Sequence, residues 1–196
     1  MYKLCKTERS AKRQREIEHA LLDLMTEKHY ETISVTELCE KMVIPRKAFY
    51  RYFDSKDDAL QALLEHTMAE YDGFVHTPGM MGRRSLKLEL EQFFAFWKKQ
   101  RRLLDALNYS GLLGKVVQTT TDYPIDNVIE LEKFLPGDSD RVRTHVFKFA
   151  LCGLISMTME WYQEGFAIST SDMAALACRM LAHPLFPNLD TIGIFE

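Results

Sequence analysis

Between residues 45 and 56 the chain runs Pro45-Arg46-Lys47-Ala48-Phe49-Tyr50-Arg51-Tyr52-Phe53-Asp54-Ser55-Lys56. Cations and phenols interleave there with two phenylalanines four residues apart. On a helix, that spacing stacks Phe49 and Phe53 on one side and leaves Arg46, Lys47, Tyr50 and Arg51 on the others. A guanidinium fork matches guanine O6 and N7, and lysine and tyrosine are common partners of phosphate oxygens. The chemistry on offer is recognition of duplex nucleic acid. A plain αα-hairpin is the competing reading, because many such hairpins bind nothing.

These side chains can act only if helices hold them. Ile17, Ala20, Leu21, Leu24 and Met25 recur at three- and four-residue spacing, which predicts an amphipathic helix from about Thr7 to Lys28. His29 to Thr32 breaks the period and reads as a connector. Ser34 with Glu37 three residues later predicts a capping box on a short second helix, with Leu38 and Met42 on its buried side. Pro45 suits a helix's first turn, so a third helix is expected from Pro45 to Phe53. Ser55 predicts the cap of a fourth, from Lys56 to about Tyr71. The second and third helices form a helix-turn-helix pattern. Glycines and Pro78 mark 72–82 as a loop. Further helices are expected over about 84–108, 111–134, 139–164 and 171–182, with Asp140 and Asp172 in first turns, where the helix dipole favours carboxylates. No strand alternation is present. The expected fold class is all-α, a three-helix N-terminal unit followed by a larger helical part.

Composition narrows the function classes. The chain has 196 residues, 46% apolar and 27% charged, enough to bury a core without metal or disulfide staples. Cys5, Cys39, Cys152 and Cys178 are scattered, which excludes a zinc ribbon and a disulfide-dense scaffold and fits a reducing compartment. The six histidines show no ligand spacing, so neither metal nor cofactor is expected. Neither a phosphate-binding glycine loop nor a Gly-x-Ser-x-Gly elbow occurs, and no enzyme is expected. No run of 18 apolar residues and no signal-peptide pattern is found, so a cytoplasmic protein without a membrane partner is expected. The net charge of −3 hides an asymmetry. Lys3, Lys6, Arg9, Lys12, Arg13 and Arg15 face Glu8 alone in residues 1–15, and residues 1–56 sum to +3 against −6 for the rest. A polyanion met at one end accounts for that split; a solubilising charged tail is the competing reading.

The run from Ile33 to Cys39, then Ile44, then Phe49 to Leu60, resembles the N-terminal domain of TetR/AcrR-family transcriptional regulators. Its most specific element is Tyr50-x-Tyr52-Phe53-x-Ser55-Lys56. The resemblance covers about residues 7–60 and is loose beyond them. It departs from the family at Met42-Val43, Pro45 and Lys47, where Ala-Gly, a small capping Ser and a Gly are usual. Val43 disfavours the left-handed conformation that Gly would allow, which predicts a tighter or differently angled turn.

The resemblance implies a DNA-binding domain over 1–56 and an effector-binding and dimerisation domain over 57–196. It implies that Tyr50 and Lys56 contact phosphates, Lys56 with help from its helix N-terminus, and that Thr36 touches the DNA backbone. Arg46, Lys47 and Arg51 become candidates for base edges, with Tyr52 at the boundary. Lys6, Arg9 and Lys12 are expected on an arm reaching a minor groove. Packing in the core is the stronger reading for Phe53. The resemblance further implies a homodimer on a palindromic operator in double-stranded DNA, a repressor released by a small-molecule effector. Phe93, Trp97, Tyr109, Phe147 and Met157 are candidate pocket residues, with Asn108, Tyr123 or His145 as polar anchors. Each could equally be core. Ala150, Gly153 and Ser156, flanked by Leu154, Met157 and Trp161, and the last-helix residues Met173, Ala174, Ala177, Cys178 and Leu181 are candidates for the dimer face. A TetR-like module that binds another protein, with DNA binding lost or secondary, is the alternative.

Overall fold

The computed structural model describes residues 7–75, 85–122 and 139–182, and among these it holds nine α-helices and no strand. They are α1 (Glu8–Glu27), α2 (Val35–Lys41), α3 (Arg46–Phe49), α4 (Lys56–Val75), α5 (Leu86–Lys99), α6 (Arg101–Tyr109), α7 (Gly114–Asp122), α8 (Asp140–Gln163) and α9 (Thr170–Ala182), with one 3-10 turn at Tyr30–Thr32. The all-α expectation holds. Two compact units are present: Met1–Asp72 with Gln100–Ile129, and Gly73–Lys99 with Glu130–Glu196. Neither unit ends at residue 56; the division expected there is taken up below as a proposal.

In the first unit, α1 begins where its sequence says it should. The Thr7 hydroxyl accepts the Ser10 amide, and Ser10 returns the bond to the Thr7 amide, a closed capping box. Arg9 and Lys12 lie on this helix and not on an arm; Lys6 falls outside the described residues. Ile17, Leu21, Leu24 and Met25 are buried, and α2 and α6 pack on α1. Glu18 is also fully buried, but it is not stranded. His66 of α4 donates through Nδ1 to its two oxygens at 3.0 and 2.9 Å, and Arg15 joins Glu18 to Glu70. A buried carboxylate without such partners would be strongly destabilising.

Around α2 and α3 the structure corrects three expectations. Ser34 caps α2 by accepting the Glu37 amide, but the Glu37 carboxylate pairs with Lys28, so the second half of the capping box is an ion pair. Cys39 joins Leu38 in the buried face, whereas Met42 is only half-buried. Most important, α3 ends at Phe49. The Phe49 carbonyl accepts from the amides of Tyr52 at 2.9 Å and Phe53 at 3.2 Å. The shorter bond is of 3-10 type and closes the α geometry, so residues 50–52 form a turn that returns Phe53 to the core, its ring 5.6 Å from that of Phe49. Pro45 precedes α3 as an extended residue without a side-chain cap.

The helix expected over 84–108 is two helices. Residues 98–102 (Lys-Lys-Gln-Arg-Arg) carry no apolar side chain, so a full turn lacks an anchor and the chain re-aims at Gln100. Helix α4 runs on to Val75, past the expected loop start at 72. Of the 111–134 pattern, Gly114–Asp122 is helical, and residues 123–134 lie outside the described residues. In the second unit α5 packs on α8 and α9. Trp161 is its centre, edge-on to Phe94 at 5.8 Å and Phe166 at 4.7 Å, with its indole N–H donated to the Ile168 carbonyl.

Helices α2, α6 and α8 end in the same hydrogen-bonded turn. In each, two successive amides bond back to carbonyls of the last helical turn: Val43 to Glu40 and Ile44 to Cys39, Gly111 to Asn108 and Leu112 to Leu107, Gly165 to Tyr162 and Phe166 to Trp161. This motif needs a left-handed residue at its first position, which Gly supplies without steric cost. Gly111 and Gly165 sit there at φ 67° and 70°; Val43 sits there at φ 54°. So Val43 does adopt the conformation its side chain disfavours. The cost for a residue with a Cβ is about 1–2 kcal/mol, against roughly 0.5–1 kcal/mol of extra chain entropy that Gly loses on folding. Val43→Gly is therefore expected to stabilise the protein by about 1 kcal/mol, raising the thermal midpoint by roughly 2–4 °C. A lower midpoint in thermal unfolding would show that the turn is not strained.

Candidate nucleic-acid interface

Helix α2, the strained turn and α3 present one cationic stretch. Arg46, Lys47 and Arg51 are all exposed, and among the described residues none of them pairs with a carboxylate. Several other cations of the first unit are engaged: Arg13 with Glu16, Lys28 with Glu37, Lys41 with Glu27, Arg102 with Asp23. Arg46 instead leans on Tyr50, one helical turn on. Its Nη2 donates to the phenol oxygen at 3.3 Å, and the guanidinium carbon lies 5.9 Å from the ring centroid. That contact orders the fork without cancelling its charge. Thr36, at the second position of α2, is exposed; Tyr50 is 40% exposed and Tyr52 half-buried. Arg51 lies past the end of α3, in the turn. Phe53 is fully buried, as core packing requires.

Lys56 does something the sequence did not announce. Its ammonium donates to the carbonyls of Tyr30 at 2.9 Å, Glu31 at 3.2 Å and Ile33 at 3.0 Å. An ammonium has three N–H donors, and here all three are spent on main chain. The expected phosphate contact by this side chain is corrected to a structural clamp. Nor is the α4 N-terminus open to an anion. The Asp58 amide is taken by Ser55 Oγ, the Asp58 carboxylate accepts the Asp54 amide, and Asp57 accepts the Tyr30 hydroxyl at 2.6 Å. Burial first, and then Asp57, pushes the Tyr30 phenol above its ordinary range, which keeps it protonated as the donor of that bond. On its other side the Tyr30 amide donates to Ser110 Oγ at the end of α6, at 3.0 Å. No sequence pattern signals a bond between residues 80 positions apart.

The candidate pocket residues are divided between the two units. Phe93 and Trp97 are buried, and Phe147 and Met157 half-buried, in the second unit. Asn108 and Tyr109 belong to the first unit and are exposed, Tyr109 by 59%. The buried face of α6 is Leu103, Leu104, Ala106 and Leu107, which turns Tyr109 onto the opposite face with Arg101 and Asp105. There it lines an open groove of about 630 Å³ with Met25, Arg102 and their neighbours. His145 is exposed, and Tyr123 lies outside the described residues. A residue the sequence reading missed is Thr119 of α7, 2% exposed, whose hydroxyl has no hydrogen-bond partner among the described residues. Its neighbour Thr120 donates to the Val116 carbonyl. Among the described residues no group of His, Cys, Asp or Glu is placed to hold a metal.

No protein-family model matches the chain, and no curated protein matches it by sequence. Solved structures do match. "Dihydroxyacetone kinase operon activator DhaS" superposes with a TM-score of 0.56 at 17% identity, over 86% of this chain and 93% of that one. The fatty acid degradation regulator FadR from Bacillus halodurans gives 0.56 at 15% identity, over 93% and 98%. A TetR/AcrR-family transcriptional regulator from Thermobifida fusca gives 0.46 at 15% identity, over 89% and 98%. The all-helical fold is thus one shared with solved transcriptional regulators.

Two roles for Lys56 predict opposite results in one variant. As a clamp, Lys56→Met should cost about 1.5–3 kcal/mol of stability through the lost charge-assisted bonds, and leave the salt dependence of any DNA binding unchanged. A phosphate contact would instead lower the salt slope by about 1 with little loss of stability. Thermal unfolding and binding titrations at several salt concentrations separate the two.

Proposed function

We propose that the chain is a sequence-specific DNA-binding transcriptional regulator. The observation that carries this reading is the uncompensated cationic face of Arg46, Lys47 and Arg51 on a helix-turn-helix. The fold agrees, since the structures it resembles include an operon activator and a regulator of fatty acid degradation. Arg46 and Lys47, at the N-terminal end of α3 where recognition helices meet base edges, are assigned to bases together with Arg51. Thr36 and Tyr50 are assigned to phosphates, and Tyr52 to the boundary between the two. Residues 1–56 form the DNA-contacting domain, and 57–196 the regulatory and dimerising one.

The regulator is a homodimer. On α8, Val142, Val146 and Phe149 are exposed at alternating four- and three-residue steps, and Gly153 and Ser156 continue the line. Phe149 is 71% exposed, and Met180 and Leu181 of α9 are each 41% exposed. Such an apolar stripe suits an isologous two-fold contact. The sequence-based version of this face needs amending: Trp161, Met173, Ala174 and Ala177 are buried within the chain and belong to its core. A small ligand modulates DNA affinity and relieves repression, and the buried Thr119 hydroxyl, without a partner among the described residues, is the polar group that supports such a ligand. Among the described residues no helix is long and apolar enough to cross a membrane, which accords with action on cytoplasmic DNA.

Selection of bound duplexes from random sequence, at two salt concentrations, tests the reading directly. An inverted repeat is expected; no enrichment would sink it and favour a protein-binding module. On the selected duplex, Arg46→Ala should cost about 1–3 kcal/mol and relax one base position, whereas a uniform loss across sequences would make Arg46 a backbone contact. Phe149→Asp should shift the protein to monomer in sedimentation and weaken binding to the inverted repeat more than to a half-site. A dimer that survives this change refutes the α8 contact.

A further inference from the structure

We propose that Val43 is itself a DNA-contacting residue, its isopropyl group held out of the turn to pack on an apolar patch of the duplex, a thymine methyl or a deoxyribose carbon. The proposal rests on the DNA-binding reading above. It starts from a contrast between two residues. Among the described residues only Val43 and Phe166 adopt positive φ without being glycine, at 54° and 61°. Phe166 has its strain offset: its ring is buried against Trp161 and Tyr162, at 4.7 and 5.9 Å between centroids. Val43 has nothing comparable, because 91% of it is exposed.

The backbone does not ask for valine here. The same pair of hydrogen bonds closes α6 and α8 around Gly111 and Gly165, so this chain places glycine where the motif alone is at stake. Strain that the fold does not compensate points to a use outside the fold. Position supplies the partner. Val43 lies three residues before Arg46, which chain geometry keeps within about 11 Å, and Arg46 and Lys47 are the exposed, unpaired cations assigned to DNA. An exposed β-branched side chain beside such cations has one apolar surface to meet on a duplex. That surface is the thymine C5-methyl in the major groove or the sugar edge next to a bound phosphate. The contact adds an apolar element to a face otherwise built of charge, and in the thymine case it selects a base.

The test uses the full chain and the duplex selected by the native protein. Val43→Gly and Val43→Asn both accept a left-handed backbone and both remove the isopropyl group. The expected result is a split: thermal midpoints unchanged or higher by about 2–4 °C, and Kd weaker by about fivefold to tenfold. The salt slope should not move, since no phosphate charge is lost. Replacing thymines by deoxyuracil one at a time identifies the patch. A position where the native protein loses affinity and Val43→Gly does not marks a thymine methyl; no such position, with the variant still weaker, marks a sugar contact. Affinity equal to or better than native in both variants overturns the proposal. A native chain that selects no duplex at all overturns the function reading with it, and the two failures are therefore told apart.

Discussion

The helix-turn-helix is a closed loop, and one ammonium group closes it. The chain leaves the 3-10 turn at Ile33, runs through α2, the strained turn and α3, and returns at Lys56, which donates back to the Ile33 carbonyl. The same Nζ holds the Tyr30 and Glu31 carbonyls and lies 4.5 Å from the Tyr30 ring centroid. The Tyr30 carbonyl already accepts the Ile33 amide; the ammonium gives it a second donor and reaches the Glu31 and Ile33 carbonyls from the same point. Tying the base of a 23-residue excursion removes the closure entropy from everything built on it. The geometry of Arg46, Lys47 and Arg51 depends on that tie more than on any contact they make themselves.

Tyr30 extends the tie in two directions. Its hydroxyl reaches Asp57 in the first turn of α4, and its amide reaches Ser110 at the end of α6. Three segments far apart in sequence therefore meet at one buried residue within the first unit. A shift of the α6 terminus would act on the Tyr30 amide directly, and through Tyr30 on the base of the helix-turn-helix loop.

The architecture was legible in the sequence where side chains speak to their own neighbourhood. Ser34 caps as expected, Ile17 to Met25 form the buried stripe, and Asp140 and Asp172 lie in first turns. Reading failed where the partner was main chain or remote. Lys56 resembled a phosphate ligand because its type and register suggest one, but carbonyl acceptors carry no residue identity and its three lie 23 to 26 positions away. The end of α3 was hidden for a related reason: Phe49 and Phe53 keep helical spacing even though a 3-10 bond breaks the helix between them. Tyr109 was assigned inward by being aromatic, while Leu103, Leu104 and Leu107 had already claimed the buried face of α6. The turn was read correctly as chemistry and wrongly as outcome, since Val43 accepts the strain it was expected to avoid.

Charge shows why a mildly acidic protein can still be built to meet DNA. Attraction to a polyanion depends on the charges within about a Debye length of the contact, roughly 8 Å at physiological salt, and not on the sum over the chain. What matters is whether cations near the surface are already neutralised. Glu37, Glu27 and Asp23 are committed to Lys28, Lys41 and Arg102, all away from α3 in sequence. Among the described residues Arg46, Lys47 and Arg51 are left with no carboxylate, and Arg46 is ordered by the Tyr50 phenol instead. Had any of the three been paired, a phosphate or base would have had to displace a carboxylate first, at a cost comparable to what the new contact returns. On the proposed function, leaving them unpaired would let duplex binding release counterions without breaking a bond of the fold. On the proposed function, the net negative charge of the rest of the chain would oppose non-specific coating of DNA and favour contact through the Arg46, Lys47 and Arg51 face.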